Sequence, residues 1–225
     1  MNDTVSSILA IEWEMFHNVN GDDRADCQEN RTTFEAMRNA QFSVWSEAAR
    51  KSYLCDIRAA AEAGRNVVRE KYIRMMASTE PEGYEAFKGE LPAVSGAAEE
   101  LVQQIWDILA EETEDLRQHY PMLALGGRPL YAKDEAGWAS VETYQKGELF
   151  TFGEETLRLL KEHILSMRAK GESYVTEVQK NSVTCLGYPD MDTAEAAMTE
   201  QLIKELGIEI SEDCPECGAG RDAAY

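Results

Sequence analysis

The chain has 225 residues, of which 44% are hydrophobic, and a formal net charge of −20 from 42 acidic and 22 basic residues. A chain of this length and hydrophobicity can build a sizeable buried core. Its strongly negative charge repels nucleic acid and anionic membranes, so neither is expected as a partner. No apolar run reaches the length of a membrane span.

The N-terminal sequence and the cysteine count together predict a cytoplasmic protein. The first residues, Met1 to Thr4, lack the cationic start and apolar stretch of a signal peptide. The five cysteines are an odd number, which fits reduced thiols in a cytosol better than a disulfide framework.

Ser and Thr caps followed by closing glycines predict helices along most of the chain. A capping box at Thr32–Glu35 is expected to begin the second helix, because the Thr hydroxyl and the Glu carboxylate satisfy free backbone N–H groups. The predicted helices and helical turns are Thr4–His17, Thr32–Trp45, Ser46–Ala63, Asn66–Ser78, Glu82–Lys88, Ser95–His119, Val141–Glu148, Glu154–Lys170, Ser173–Leu186 and Thr193–Leu206.

The sequence shows no long strand pattern, no repeat and no flexible linker. We therefore expect an all-α, single-domain multi-helix bundle over residues 1–208. Residues 120–152 are predicted to form a long irregular central loop, and such loops are typically functional or mobile. Residues 209–225 are expected to form a loosely held polar tail that contains the C-x-x-C pair Cys214 and Cys217.

The most informative signal is a set of polar residues on the apolar faces of the first two helices. Glu12 falls in the middle of the first apolar stripe, and Arg38 and Gln41 fall within the second. Because a buried charge needs a partner, Arg38 is the natural partner of Glu12. Two interpretations follow: an internal ion pair that only fixes helix packing, or a polar pocket that binds a ligand.

Three further residues, on the second and fourth helices, are candidates for ligand binding. Trp45 lies on the same face of the second helix as the polar residues. On the fourth helix, Glu70 and Lys71 fit a solvent-exposed face better than a site. Lys71 nevertheless borders the apolar stripe and Tyr72 lies within it, so both are retained as ligand-binding candidates.

The central loop supplies a second group of residues, namely Arg128, Tyr131, Glu142, Thr143, Tyr144, Gly147 and Glu148, of which Arg128, Tyr131 and Tyr144 are the ligand-binding candidates. An arginine and two tyrosines in a long loop can close over an anionic or planar ligand. The alternative is a packed surface loop whose tyrosines bury their rings against the bundle.

Metal and thiol chemistry is represented only by incomplete motifs. Glu14 and His17 have the E-x-x-H spacing of carboxylate-bridged metal bundles, but those sites need a second such unit and two more acids. The remaining candidates are isolated: His119, His163, Cys27, Cys214 and Cys217. The sequence therefore assigns no metal ligand and identifies no cofactor, and a metalloprotein is the third interpretation.

Several short motifs occur together: Glu12–Phe16, Thr33–Arg38, Gly64–Asn66, Glu70–Met76, Glu142–Tyr144 and Gly147–Leu149. As a set they resemble a bacterial family of unknown function that is seen largely in anaerobes, and the resemblance extends to about Tyr188. It implies a bacterial cytoplasmic setting. It also implies that the family's motif positions correspond here to Glu12, Arg38, Gln41, Trp45, Glu70, Lys71 and Tyr72.

The leading hypothesis is a helical protein that binds a small charged molecule in a polar pocket. A stronger form of this hypothesis is that the protein also transforms that molecule chemically. Glu12 would be an acid–base or anchoring carboxylate, Arg38 an anion clamp and Gln41 an orienting amide. The loop with Arg128 and Tyr131 would act as a lid. The alternative is a non-catalytic interaction or regulatory protein with a structural polar network. The sequence defines neither the ligand nor the oligomeric state.

Overall fold

The computed structural model describes residues 3–19, 29–125, 127–133 and 137–206. These residues form α-helices joined by turns and no strand, which confirms the predicted all-α fold class. The helices are α1 (Asp3–His17), α2 (Arg31–Val44), α3 (Glu47–Glu62), α4 (Val67–Thr79), α5 (Pro81–Phe87), α6 (Gly96–His119), α7 (Pro121–Leu125), α8 (Val141–Leu149), α9 (Glu154–Arg168), α10 (Tyr174–Cys185) and α11 (Met191–Glu205).

The start of α2 differs from the predicted capping box. Asn30 caps the helix, because its side chain accepts a hydrogen bond from the Thr33 backbone N–H at 3.0 Å. Glu35 pairs instead with Arg31, one turn earlier on the same helix, at 2.7 Å. Asn is among the residues most favoured at the N-cap, so it can begin the helix in place of the expected Thr–Glu capping box.

Two helices, α7 and α8, fall within residues 120–152, and α8 confirms the helix that was predicted at Val141–Glu148. Ser140 caps α8 by accepting a hydrogen bond from the Thr143 N–H at 2.9 Å. The first two N–H groups of α8 donate to the carbonyls of Pro129 and Leu130, at 2.8 and 3.0 Å. Leu130 is buried in the core, so this part of the loop is fastened to the bundle.

The main core lies between α1, α3, α6, α9 and the helices that flank them. Helix α1 packs against α2, α3 and α4, while α9 packs against α3 and α6. Tyr53 on α3 lies at the centre of an aromatic cluster, with its ring 4.8 Å from Phe152, 5.5 Å from Phe42 and 5.7 Å from Trp45. This aromatic cluster contacts the polar residues of α1 and α2.

Several sequence predictions fall outside the described residues. These are Cys27 and the tail of residues 209–225 with its C-x-x-C pair. Within the described residues, no helix combines the length and apolar character needed to cross a bilayer.

A glycine allows α8 to approach α4 closely. A Cβ atom at Gly147 would lie 3.1 Å from Met75 Cγ and 3.2 Å from the Lys71 carbonyl oxygen. Any larger residue would push into the backbone of α4, since protein interiors leave little free space. The absence of a side chain here therefore lets the next residue, Glu148, lie beside Lys71.

We expect Gly147→Ala to lower the free energy of unfolding by about 1–3 kcal/mol, because the added methyl group overpacks the α4–α8 contact. Gly96→Ala is the matched control, since a Cβ at Gly96 would meet no atom within 4 Å. That control should leave stability unchanged or raise it slightly. Urea denaturation followed by circular dichroism measures both variants, and equal effects would contradict the close-packing argument.

Candidate functional site

A buried ion pair joins α1 to α2. Glu12 is only 2% exposed, and its Oε2 and Oε1 accept hydrogen bonds from Arg38 Nε at 2.8 Å and Nη2 at 2.6 Å. Two parallel N–H···O bonds are the strongest arrangement for this pair of side chains. The structure thus brings Glu12 and Arg38 together, as the polar pattern of the two helices predicted.

Tyr53 adds a third helix to this contact. Its hydroxyl donates a hydrogen bond to Glu12 Oε1 at 2.6 Å. Burial, followed by the negative charge of Glu12, raises the pKa of the Tyr53 hydroxyl well above its ordinary value. Tyr53 therefore stays protonated and remains a hydrogen-bond donor at neutral pH.

Arg38 also reaches α8 through its remaining amino group. Its Nη1 donates to Gln41 Oε1 at 2.7 Å and to Glu148 Oε1 at 2.9 Å. The Gln41 Nε2 group donates to the same oxygen of Glu148 at 3.0 Å. Gln41 thus presents its oxygen to the guanidinium and its amino group to the carboxylate, which fixes the orientation of both.

Lys71 of α4 completes the network. Its Nζ donates to Glu148 Oε2 at 2.6 Å and lies 3.4 Å from the centroid of the Tyr144 ring. Lys71 is 7% exposed and Glu70 is 5% exposed, so their assignment to a solvent-exposed face was wrong. Both are buried because α4 packs against α1 on one side and α8 on the other.

The network is electrically balanced, with two carboxylates and two cations. Burial alone would raise the pKa of Glu148, but the charges and hydrogen bonds of Arg38 and Lys71 outweigh it and hold that pKa far below its ordinary value. Burial also acts to lower the pKa of Lys71 and of Arg38. For Lys71 the charge and hydrogen bond of Glu148, with a contribution from Tyr144, together outweigh burial, and for Arg38 the charges of Glu12 and Glu148 and the hydrogen bond to Glu12 do so; both pKa values are therefore raised. Arg38, Lys71 and Glu148 are therefore charged at neutral pH.

A partly open cavity of about 160 Å³ adjoins this network. The polar part of its lining, here called the floor, is Glu12, Arg38, Tyr53, Lys71 and Glu148. These residues come from α1, α2, α3, α4 and α8, so five helices meet at the cavity. Such convergence of polar groups within a mostly apolar pocket is typical of ligand sites.

The walls of the cavity are apolar and aromatic. The Phe16 and Phe34 rings stack with centroids 5.1 Å apart and nearly parallel planes, at 14°. The remaining wall and rim positions are Met37, Val67, Val68, Tyr72, Tyr144 and Thr151. The sequence candidates Tyr72 and Tyr144 thus line the cavity together with Arg38 and Lys71.

The floor retains hydrogen-bonding capacity. A guanidinium carries five N–H donors, and Arg38 makes four hydrogen bonds to Glu12, Gln41 and Glu148 among the described residues. Lys71 has three N–H donors and makes one hydrogen bond, to Glu148. Both residues line the cavity, together with the carboxylates of Glu12 and Glu148 that pair with them.

Four sequence candidates do not line this cavity. One is Gln41, which bonds to Arg38 and Glu148 but is not part of the lining. Trp45 is buried in the aromatic cluster, where its apolar ring finds a better environment than at a polar floor. The Tyr131 hydroxyl donates to Glu114 at 2.8 Å, away from the network. Arg128 lies 5.4 Å from the Tyr144 ring but is not part of the lining. Arg128 and Tyr131 therefore do not close over the cavity in this structure.

Two residues of the network were not among the predicted site residues: Glu148 was placed only in the group of the central loop, and Tyr53 was not selected. Val141, Tyr144 and Glu148 lie on one face of α8, at helical spacing, so Glu148 is an acid on a buried face. Helical spacing, which places Glu12 on an apolar face, places Glu148 on one as well. Tyr53 gave no comparable signal, because a tyrosine on an apolar face usually belongs to the core.

The metal-ligand candidates that the structure describes, namely Glu14, His17, His119 and His163, do not form a metal site. Glu14 is exposed, and the His17 ring stacks on Trp13 at 5.5 Å. His119 and His163 each place a ring nitrogen near a backbone carbonyl oxygen, at 2.9 and 2.7 Å. Over residues 3–19, 29–125, 127–133 and 137–206, no group of three or more His, Cys, Asp or Glu could hold a metal ion.

The fold and the site define an all-helical protein with a charge-balanced buried network beside a small cavity. Residues 2–196 match the family described as "Protein of unknown function (DUF4125)", and the chain belongs to that family. The match bears out the resemblance to an uncharacterised family that the motifs indicated. No curated protein and no solved structure matches the chain.

Charge balance predicts strong coupling between Lys71 and Glu148. Lys71→Met and Glu148→Gln should each lower the free energy of unfolding by about 3–5 kcal/mol, because each leaves a buried charge without compensation. The double variant removes one charge of each sign and keeps the Glu12–Arg38 pair, so its loss should be smaller than the sum. Urea denaturation of all four proteins gives the coupling free energy, expected at about 1–3 kcal/mol. Strictly additive losses would argue against a compensated pair.

The same network predicts a pH dependence of stability. The pKa of Glu148 is lower in the folded protein than in the unfolded chain, where it is about 4.3. Its ionisation therefore stabilises the fold above the unfolded-state pKa, and this contribution is lost as pH falls toward the folded-state pKa. The stability difference between wild type and Glu148→Gln should be largest at about pH 6–7 and narrow between about pH 5 and 3. Denaturation at a series of pH values tests this, and a gap that widens in acid would contradict it.

Proposed function

We propose that the protein binds a small molecule with an anionic group and a short apolar body in the cavity beside Glu12 and Arg38. The observation that carries the proposal is the pairing of spare N–H donors on Arg38 and Lys71 with walls built from Phe16 and Phe34. Arginine and lysine donors would receive the anion, and the aromatic wall would cover the apolar body.

The size of the cavity limits the ligand. An engineered apolar cavity of about 150 Å³ in another protein holds one benzene molecule, which has six heavy atoms. A cavity of about 160 Å³ therefore suits a ligand of roughly six heavy atoms that extends toward the open side. A four-carbon carboxylate such as butyrate has this size.

Each network residue has a proposed role in such binding. Glu12 anchors the Arg38 guanidinium in one plane through two hydrogen bonds, and Gln41 fixes its far amino group. Glu148 holds Lys71 next to Arg38. The two cations would then clamp the anion from adjacent helices.

The ionisation states support binding more than proton transfer. Glu148 has lost its proton at neutral pH, and the raised pKa of Tyr53 keeps its proton in place. General acid–base groups work best when their pKa lies near the working pH. We therefore propose that Glu12 is an anchoring carboxylate, and we assign no proton-transfer step to Glu148 or Tyr53.

Methionine labelling gives a local test, because Met37 lines the cavity. Protein with ¹³C-methyl methionine would be titrated with butyrate, and the Met37 signal would be assigned through its loss in Met37→Leu. We expect the Met37 signal to shift saturably, because the bound chain would lie against its side chain. Uncharged butanol of similar length should bind more weakly, since it cannot pair with Arg38 and Lys71.

Val68→Phe provides the cavity-filling variant, and Val178→Phe provides a control of equal size on α10, outside this cavity. Val68→Phe should abolish the butyrate response, whereas Val178→Phe should preserve it. Circular dichroism would confirm that both variants are folded. A response that survives Val68→Phe, or that butanol reproduces at equal concentration, would overturn the proposed site.

A second candidate function is a non-catalytic interaction protein in which the network is purely structural. The observation that favours it is the mutual compensation of Glu12 and Glu148 by Arg38 and Lys71, which requires no ligand. The acidic chain would then meet a basic partner through its surface. Absence of any Met37 response to butyrate, together with saturable capture of a basic protein on the folded chain, would favour this function.

A further inference from the structure

A second cavity, of about 240 Å³, lies between α6, α7, α8 and α10. It shares no lining residue with the first cavity. Its apolar walls include Leu109, Leu116, Leu123, Val141, Val175 and Val178. A partly open, mostly apolar volume of this kind favours an apolar ligand, because burying both surfaces releases water from them.

The charged residues that line this second cavity are Arg117 and Arg128, and its lining contains no carboxylate. Arg117 Nη2 donates to the Arg128 carbonyl oxygen at 2.5 Å, and Arg128 Nη1 donates to the Ala139 carbonyl oxygen at 3.2 Å. Among the described residues, neither arginine forms an ion pair with a carboxylate. Although acidic residues outnumber basic ones by 42 to 22 in the chain, the described residues place two arginines and no carboxylate at this cavity.

Tyr174 lines the same cavity and carries no charge that would oppose an anion. Its hydroxyl accepts a hydrogen bond from the Trp45 indole N–H at 2.8 Å. Burial raises the pKa of this hydroxyl well above its ordinary value, so it stays neutral. The electrostatic character of the cavity is therefore set by the two arginines.

We propose that the second cavity is a separate binding site for a monocarboxylate with an apolar tail. The tail would lie among the leucines and valines, and the carboxylate would pair with Arg117 and Arg128, since guanidinium and carboxylate match in geometry. Scaled from the benzene-sized cavity of about 150 Å³, a volume of about 240 Å³ suits roughly ten heavy atoms. Octanoate has this size and serves as the probe.

Isothermal titration calorimetry with octanoate tests the site in the full-length protein. Wild type should bind one octanoate, and Arg117→Gln should weaken binding about tenfold because a charge-assisted hydrogen bond is lost. Arg158→Gln is the matched control: it removes the same charge from an exposed position on α9. Octanol should bind more weakly than octanoate by a similar factor.

Cavity-filling variants separate this site from the proposed function. Val178→Phe should abolish octanoate binding while butyrate still shifts the Met37 signal, and Val68→Phe should do the reverse. No heat with octanoate, equal binding of octanol, or equal weakening by Arg117→Gln and Arg158→Gln would each overturn the proposal. Failure here leaves the butyrate experiment unaffected, because the two readouts report on different cavities. If Val178→Phe does not fold, Arg117→Gln and its control still decide the outcome.

Discussion

The burial of four charges between helices is the constraint on which the site depends. Removing a carboxylate or a cation from water costs several kcal/mol, and only a matched partner at hydrogen-bonding distance offsets that cost. Glu12, Arg38, Lys71 and Glu148 each come from a different helix. Displacing any one of these helices would leave a buried charge without its partner. The network therefore penalises misaligned packings of α1, α2, α4 and α8 much more strongly than apolar contacts alone would.

Local periodicity made half of this network predictable from the sequence. Glu12, Arg38 and Gln41 interrupt regular apolar stripes, and helical spacing alone shows that they face inward. The pairing of Lys71 with Glu148 joins residues 77 positions apart. It depends on how closely α8 approaches α4, which Gly147 permits. A single sequence carries no direct signal for such an approach, so α4 was assigned a solvent-exposed charged face that it does not have.

The sequence also could not separate the aromatic residues of the core from those that line the cavity. Trp45, Tyr131 and Tyr144 looked alike as ligand-binding candidates, because an aromatic side chain satisfies a core, a loop contact and a ligand wall equally well. In the structure Trp45 belongs to the core, Tyr131 bonds to Glu114, and Tyr144 lines the cavity. Composition and spacing do not separate these three environments. Only the position of the surrounding helices separates them. A charged residue on an apolar helix face, by contrast, indicates from the sequence alone that it has a partner.

The Tyr144 ring lies close to one cation from the lining of each cavity. Tyr144 lines the first cavity beside Lys71, and Arg128 of the second cavity lies 5.4 Å from the same ring. An anion that draws Arg128 toward the second cavity would change the cationic environment of Tyr144, and an anion on Lys71 would do so from the other cavity. If both sites bind ligands, linkage requires any such effect to be reciprocal. Because both ligands would be anions bound to cations on the same ring, their mutual repulsion makes the expected sign of this coupling negative.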